Sequence, residues 1–321
     1  MISGKVLVTG GVGFIGSHIV NNLLKLDGIE KIIVLDNLSS GKIENLGQNL
    51  RNDRLKFIKG DIRSNSLVQR VVKDVDYIFH EAAIVNVEVS IRKPKEVNDV
   101  NVNGTLNLLH ASLGNKKLKR IVFASSCAVY GDPEKIPIDE NCRTCPISPY
   151  GASKLAAELY MKVFYKVYGL PTVSLRYFNV FGPGQEANPY SGVISIFVYK
   201  ALKGEPITIF GDGEQTRDFV YIDDIVKANL LAASNEKSLG EVFNIGSGTE
   251  ITIKDLASKI IDISGREKID IVYGPSRSGD IRRSLANIEK ARRILGYEPR
   301  TNIENNLVKV FEYFRDHVGI K

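Results

Sequence analysis

The fold is decided near the start of the chain, where residues 2–17 read ISGKVLVTGGVGFIGS. A short apolar run at residues 6–8 leads directly into Gly10, Gly13 and Gly16. A chain that leaves a parallel strand for a helix must turn tightly, bring its backbone close to a pyrophosphate and pack the helix against the sheet, and each requirement excludes a side chain at one position. We expect the helix to start near Phe14 and to direct its positive end at the phosphates. The stretch therefore predicts a dinucleotide-binding turn.

The next apolar run specifies the kind of dinucleotide. Residues 31–35 read as a second strand, and Asp36 follows it, 20 residues after Gly16. At this position a carboxylate can accept hydrogen bonds from both ribose hydroxyls, and it would repel a 2′-phosphate. No arginine directly follows Asp36. The pattern favours NAD over NADP.

Composition sets the broad class of protein. The chain has 321 residues, of which 43% are hydrophobic and 25% charged, as expected for a globular protein. Its formal charge of +6 comes from 43 Lys and Arg scattered among 37 Asp and Glu, which favours a phosphorylated small molecule and predicts no nucleic-acid partner. We expect no membrane partner and a cytoplasmic location, because no apolar run is long enough for a span and the N-terminus enters a strand without a signal-like segment. Cys142 and Cys145 have CxxC spacing without a second pair, so no metal site is expected.

Short apolar runs alternate with helical patterns over the first half of the chain. The strands are predicted at residues 5–9, 31–35, 55–59, 77–81, 120–125 and 172–177, and the helices at 18–25, 66–72, 100–113 and 150–168. This alternation predicts an α/β fold with a Rossmann-like doubly wound parallel sheet. We assign residues 1–178 to an NAD-binding domain and residues 179–321 to a smaller α/β lobe for the substrate. A helix predicted at 218–233 is apolar enough for the segment 218–246 to dock back on the first domain.

Three side chains carry the predicted chemistry. Ser126 ends a strand and therefore emerges at the carboxyl edge of the sheet, while Tyr150 and Lys154 are four residues apart on one helix face. We expect the ammonium of Lys154 to lower the pKa of Tyr150 from about 10, and the positive nicotinamide of bound NAD to lower it further. Tyr150 could then act as a general base near neutral pH.

These residues belong to a series of motifs that resembles a known family. The motifs are TGGVGFIGS at residue 9, LDNLSSGK at 35, HEAA at 80, NVNGT at 101, SSCAVYG at 125, SPYGASK at 148, RYFNVFGPGQ at 176, GDGEQTRDFVYIDD at 211 and RSGDI at 277. In this order they resemble the extended short-chain dehydrogenases/reductases and, among these, the nucleotide-sugar epimerases of the UDP-glucose 4-epimerase type. The resemblance covers nearly the whole chain.

The resemblance implies a set of ligand-binding residues. Those implied for NAD are Gly10, Gly13, Phe14, Ile15, Gly16, Asp36, Asn37, Ser39, Ser40, Gly41, Asp61, Ile62, Ala82, Ala83, Asn101, Tyr150, Lys154 and Phe178. Those implied for the UDP-sugar are Ser126, Tyr150, Asn179, Val193, Thr208, Phe210, Arg217, Arg277, Asp280 and Ser284. The implied reaction is 4-epimerisation through a 4-keto sugar, with Tyr150 as the base and Ser126 bonded to the same sugar oxygen. The resemblance also implies a homodimer formed by the helices at 100–113 and 150–168.

The sequence leaves several alternatives open. A UDP-glucuronate epimerase or decarboxylase shares these motifs, whereas a 4,6-dehydratase would carry an Asp-Glu pair at the positions of Cys127 and Ala128. A catalytically silent NAD-binding sensor would be expected to lose Ser126, Tyr150 or Lys154. Val85 stands a few residues after the HEAA motif, where some members of the family carry a lysine. The resemblance implies that Ser284, four residues after Asp280, borders the pocket at the sugar's 2-substituent, where a small residue admits an N-acetyl group. This predicts activity on UDP-Glc/UDP-Gal and on UDP-GlcNAc/UDP-GalNAc, although Ser284 could equally cap a helix at 285–295.

Overall fold

The computed structural model describes residues 2–185, 192–266, 268–276 and 281–317. Its strands are β1 Gly4–Thr9, β2 Ile29–Asp36, β3 Leu55–Lys59, β4 Tyr77–His80, β5 Arg120–Ser126, β6 Thr172–Tyr177, β7 Asn179–Phe181, β8 Ile207–Phe210, β9 Thr216–Arg217, β10 Phe219–Tyr221, β11 Val242–Ile245, β12 Ile251–Thr252 and β13 Ile271–Gly274. Its helices are α1 Phe14–Leu23, α2 Asn65–Val72, α3 Val87–Arg92, α4 Pro94–Asn98, α5 Gly104–Ser112, α6 Pro149–Tyr168, α7 Val193–Lys203, α8 Ile222–Ser234, α9 Ile253–Ser264, α10 Glu289–Leu295 and α11 Ile303–His317.

Within the described residues, a central sheet of seven parallel strands has the order β11-β6-β5-β4-β1-β2-β3. Successive side chains of a strand point to opposite faces, so one strand supplies both cores. Leu7 packs with Leu108 of α5 and Met161 of α6, whereas Val8 packs with Ile225 of α8 on the other face. The Rossmann-like doubly wound sheet predicted from the sequence is confirmed.

Helix α6, which carries the predicted catalytic residues Tyr150 and Lys154, begins where its capping residues require. The Ser148 hydroxyl accepts a hydrogen bond from the Gly151 N–H at 3.1 Å, and Pro149 occupies the first turn, where no N–H is needed. The helix ends at Gly169, which adopts a left-handed conformation. This start places Tyr150 in the first turn of α6, next to the carboxyl edge of the sheet.

Two helices predicted in the second half of the chain begin later than expected, and both errors have the same cause. The helix predicted at 218–233 begins at Ile222, because residues 219–221 pair with β7 as strand β10. The helix predicted at 285–295 begins at Glu289, because residues 284–287 run extended: the Ser284 carbonyl accepts from the Asp218 N–H at 2.7 Å, and the Ile138 carbonyl accepts from the Asn287 N–H at 2.8 Å. Ser284 is therefore not a helix cap.

The chain returns to the central sheet before the smaller lobe is complete, because β11 comes between β8 and β13, which pair with each other. Strand β11 pairs with β6 at the sheet edge, with Val242 opposite Ser174, and α8 packs against α1. The smaller sheets pair β7 with β10, β9 with β12 and β8 with β13. Among the described residues, no helix combines the length and the apolar character that crossing a bilayer requires.

Candidate active site

The glycine-rich turn after β1 is too tightly packed to accept side chains. A Cβ on Gly16 would lie 2.2 Å from the Gly10 carbonyl oxygen, and one on Gly10, whose φ is +67°, would lie 2.7 Å from the Ala82 backbone nitrogen. The Gly13 N–H donates to the Gly10 carbonyl at 3.0 Å, and α1 starts at the next residue. A Cβ on Gly41 would lie 2.8 Å from the Gly13 nitrogen, so the loop that carries Ser39 and Ser40 presses against the same turn. This geometry fits a dinucleotide pyrophosphate at the start of α1.

The predicted ribose acceptor lies at the rim of this turn. Asp36 ends β2 and is buried, and its carboxylate accepts hydrogen bonds from the N–H groups of Val12 at 3.2 Å and Leu38 at 2.9 Å. Burial raises the pKa of Asp36, and these backbone hydrogen bonds oppose the rise. The turn and the carboxylate that would read the adenosine ribose are thus fixed to each other before any ligand binds.

A second carboxylate completes the predicted adenine side. Asn37 donates to Asp61 at 2.9 Å, and Arg63 donates to both Asp61 oxygens, at 3.0 and 2.8 Å, which holds the pKa of Asp61 far below its usual range. The sequence analysis missed Arg63. Ile62 is buried and fills the space beside Gly104, where a Cβ would meet it at 2.5 Å.

The predicted nicotinamide side is fastened to the catalytic helix by Asn101. Its side chain donates to the Ile84 carbonyl at 3.0 Å and accepts from the Ile84 N–H at 2.8 Å, and it also donates to the Ser153 hydroxyl at 2.9 Å. These bonds fix the segment that carries Ala82 and Ala83. Phe178, the remaining predicted cofactor residue, is buried directly after β6.

The three predicted catalytic residues meet at the end of β5. The Ser126 hydroxyl accepts from the Ala128 N–H at 3.2 Å and lies near the Tyr150 phenol, whose pKa it acts to lower. Lys154 is buried, and its ammonium donates to the Ala124 carbonyl at 2.8 Å. The structure thus brings together a phenol, a hydroxyl and an ammonium, which is the arrangement that proton transfer at a substrate hydroxyl requires.

The predicted lowering of the pKa of Tyr150 by Lys154 is wrong for the chain's own residues. Burial raises the pKa of Tyr150 to about 12, the hydrogen bond with Ser126 opposes the rise, and the negative charge of Glu81 adds to it. The ammonium of Lys154 is engaged with the Ala124 carbonyl on β5. Spacing along the helix indicated a shared face correctly, but it could not show that desolvation would dominate.

Glu81 lies at the same strand ends, although it is not among the residues predicted from the sequence. It follows β4 directly, is half-buried, and accepts a hydrogen bond from the Tyr177 hydroxyl at 3.0 Å. Burial raises the pKa of Glu81, whereas Tyr177 and Lys154 oppose the rise. Its place at a strand end, next to His80 in the HEAA motif, was the available signal.

The substrate side is organised around Asp218. Asn179 donates to the Asp218 carbonyl at 3.0 Å, and the buried Asp218 carboxylate accepts from the backbone N–H groups of Ser247 at 2.7 Å and Ala286 at 3.1 Å. Arg217, the adjacent residue, donates to the Ile281 carbonyl at 2.6 Å. These bonds tie β7, β9 and the extended segment after residue 280 into one wall.

Arg217 acts electrostatically on Cys127, which follows Ser126 at the end of β5. Burial raises the pKa of Cys127, the neighbour of Ser126, to about 11, and Arg217 acts on this thiol in the opposite direction. Ser284 is 4% exposed and lies in the same wall. The other predicted substrate residues lie farther along the lobe: Val193 opens α7, and Thr208 and Phe210 lie on β8 beside β13. Arg277 and Asp280 lie outside the described residues.

Comparison with known proteins gives consistent matches over the whole chain. The model of the NAD dependent epimerase/dehydratase family matches residues 6–246. A putative UDP-glucose 4-epimerase of Methanocaldococcus jannaschii is 40% identical over 317 residues, which are 97% of this chain and 99% of that protein. The structure of a UDP-glucose 4-epimerase from Thermotoga maritima with UDP-glucose superimposes with a TM-score of 0.91 at 41% identity, and covers 98% of this chain and 99% of that one.

A second solved structure is equally similar. A UDP-N-acetylglucosamine 4-epimerase from Methanobrevibacter ruminantium, in complex with UDP-N-acetylmuramic acid, superimposes with a TM-score of 0.93 at 41% identity, again over 98% of this chain and 99% of that one. The family model spans both the glycine-rich turn and the Ser126, Tyr150 and Lys154 cluster. The chain therefore belongs to the NAD-dependent epimerase/dehydratase family, as a nucleotide-sugar epimerase of the extended short-chain dehydrogenase/reductase type.

Proposed function

We propose that the protein interconverts UDP-hexoses at C4, acting on both the UDP-Glc/UDP-Gal and the UDP-GlcNAc/UDP-GalNAc pairs. Tyr150 and Ser126, which lie together at the end of β5 with the buried Lys154 beside them, carry this proposal. The names of the relatives support it, because both kinds of 4-epimerase are about equally similar to this chain.

In this proposal the phenolate form of Tyr150 takes the proton of the sugar 4-hydroxyl, and Ser126 holds the same oxygen by a hydrogen bond. NAD, when bound, supplies the reversible hydride chemistry and a positive charge that favours the phenolate. The ammonium of Lys154 stays on the Ala124 carbonyl at 2.8 Å, at the same strand end. Arg217 and Asn179 are positioned to hold the diphosphate, and Tyr150 and Ser126 return the proton after the 4-keto sugar has turned over.

Two neighbouring positions favour epimerisation over dehydration. The residues after Ser126 are Cys127 and Ala128, where a 4,6-dehydratase is expected to place its acid and base. Burial raises the pKa of the Cys127 thiol to about 11, so it remains neutral near pH 7. The Ala128 N–H is bonded to Ser126. Neither position offers a carboxyl group for the removal of water.

Ser284 supports the broad substrate range. It is 4% exposed and lies in an extended segment, where its carbonyl accepts from the Asp218 N–H, so an aromatic ring at this position would need far more space than serine occupies. The test is a product assay by NMR with UDP-Gal, UDP-GalNAc and UDP-glucuronate for the wild type, Ser284→Tyr and Ser284→Ala. We expect Ser284→Tyr to suppress the N-acetylated pair selectively and Ser284→Ala to retain both pairs. A wild type that epimerises UDP-Glc but not UDP-GlcNAc would contradict the proposed range, and turnover of UDP-glucuronate alone would replace it.

We also propose that a second copy of the chain covers one face of α6. This face carries Leu159, Val163 and Val167, spaced by four residues and 54%, 46% and 66% exposed. Rows of large apolar side chains at this exposure are typical of a helical interface between subunits. Sedimentation velocity should give a dimer for the wild type and a monomer for the Leu159→Lys/Val163→Lys variant. A monomeric wild type at micromolar concentration would refute the dimer.

A further inference from the structure

The strongest unassigned feature of the site is the environment of Glu81. Its carboxylate accepts a hydrogen bond from the Tyr177 hydroxyl at 3.0 Å, and Tyr177 is in turn held by Asn229, whose side-chain amide donates to the phenol oxygen at 2.7 Å. Tyr177 and Asn229 are both buried. The carboxylate is therefore fixed in place by β6 and α8, although it belongs to neither.

Sheet register brings this carboxylate next to the catalytic groups. β4 and β5 run parallel with His80 opposite Phe123, so Glu81 lies alongside Ala124, whose carbonyl binds the Lys154 ammonium at 2.8 Å. Neighbouring strands are about 4.8 Å apart, so both groups lie at the same edge of the sheet. The register continues into β6, where Ser126 is opposite Tyr177. The charge of Glu81 acts on both Lys154 and Tyr150.

We infer that Glu81 is a positioning residue whose negative charge sets the protonation of Lys154 and Tyr150 during catalysis. The inference rests on the proposed function, in which Tyr150 is the base. Nothing in the proposed proton transfer requires Glu81 to touch the substrate. Its role is to hold Lys154 as an ammonium in a buried site and to keep Tyr150 protonated until the positive charges of the complete site favour the phenolate.

The other titratable groups around Glu81 do not carry a competing charge near neutral pH. From α6 it faces Lys154 and Tyr150, from β6 it faces Tyr177, whose pKa is raised well above its usual value, and from α8 it faces the uncharged Asn229. The preceding residue, His80, is bonded between Thr9 and Thr105, and burial together with Lys154 lowers its pKa to about 3. Burial raises the pKa of Glu81 to about 7 and lowers that of Lys154 to about 8, so these two groups are the ones whose opposite charges oppose burial here.

The sign of the effect is the same for both partners. Removing a negative charge makes the phenolate of Tyr150 easier to form and the ammonium of Lys154 harder to keep, so both pKa values fall. We therefore expect Glu81→Gln to move both limbs of the pH profile of kcat/KM toward lower pH, each by roughly 0.5–1 unit. A loss of packing alone would lower activity without moving the limbs.

The experiment measures kcat and KM against pH for the wild type, Glu81→Gln, Glu81→Asp and Tyr177→Phe. Glu81→Asp keeps the carboxyl group and should restore the wild-type limbs. Tyr177→Phe keeps Glu81 but removes a hydrogen bond that lowers its pKa, so it should shift the limbs in the same direction as Glu81→Gln and by less. Glu81→Leu supplies a second neutral variant if Glu81→Gln does not fold. If the limbs of the pH profile of kcat/KM coincide in the neutral variants and the wild type, and only kcat is reduced, the inference is overturned.

A titration without substrate separates this inference from the proposed function. Tyrosinate absorbance is followed against pH in the wild type and in Glu81→Gln, each with its Tyr150→Phe counterpart subtracted. The Tyr150 signal should appear at lower pH in Glu81→Gln. An inactive wild type that still shows this shift would refute the proposed substrates and leave the role of Glu81 standing, whereas an active enzyme without the shift would refute the role alone.

Discussion

Replacing Glu158 by glutamine should destabilise the protein strongly, because it leaves a buried arginine without its counter-charge. Glu158 and Arg176 are 4% and 5% exposed. They are joined by two bonds, Nη2 to Oε1 at 2.5 Å and Nε to Oε2 at 2.9 Å, and the Ser125 hydroxyl also donates to Oε2 at 2.6 Å. Breaking a buried pair by removing one partner costs about 3–5 kcal/mol. Since the amide oxygen of glutamine can still accept one bond, we expect about 3 kcal/mol.

This free energy converts into a measurable change in melting temperature. An unfolding entropy of about 2.1 cal/mol/K per residue gives roughly 0.7 kcal/mol/K for this chain, so Tm should fall by about 4 °C. The assay is thermal unfolding followed by circular dichroism, with urea unfolding at 25 °C as a second measurement.

A matched control isolates the effect of burial. Lys259 and Glu304 form an ion pair with the same 2.5 Å separation, but their side chains are 35% and 66% exposed. Exposed pairs contribute little to stability, so Glu304→Gln should leave Tm near that of the wild type. Equal changes of Tm in the two variants would refute the reasoning. A Glu158→Gln protein that melts within about 1 °C of the wild type would refute it as well, because the expected change is about 4 °C.

Three further changes test the cofactor and catalytic assignments. Tyr150→Phe should retain NAD binding and the fold but lower turnover by at least about 100-fold, measured by steady-state kinetics and NAD fluorescence titration; wild-type turnover would exclude Tyr150 as the base. Asp36→Ala should weaken NAD binding and reduce the preference over NADP in calorimetry, and equal affinity for both cofactors in the wild type would count against the assignment. Gly16→Ala should disrupt NAD binding, because its Cβ would lie 2.2 Å from a backbone oxygen, whereas Gly114→Ala, which has no atom within 4 Å, should bind NAD normally.

Local signals in the sequence predicted the parts of the site that depend on neighbouring residues. The glycine positions, the strand ending at Asp36 and the helix start before Tyr150 follow from turn geometry and capping, and the structure places these elements accordingly. The strand predicted at residues 77–81 ends one residue earlier in the structure, at His80. In each case the information lies within a few residues of the feature.

Contacts between distant parts of the chain account for what could not be predicted. The sequence predicts a helix start at residues 284–287. In the structure, backbone hydrogen bonds with Asp218 and Ile138 hold these residues as an extended segment. The sequence analysis missed β11 because only its pairing with β6 reveals the four residues as a strand of the central sheet. The high pKa of Tyr150 arises from burial, and the proposed role of Glu81 arises from the register of β4, β5 and β6. The spacing of residues along one helix predicts neither.

The return of β11 to the edge of the central sheet has a thermodynamic consequence. Because β6 is completed by residues 242–245, a fragment that stops at residue 178 would expose the backbone edge of β6, and a fragment that starts at 179 would lose the strand that β11 rests on. The glycine-rich turn after β1 and the wall built on Asp218 should therefore unfold together. A ligand that binds at either place raises the stability of the other by mass action, so NAD alone should protect Arg217 and its neighbours against unfolding.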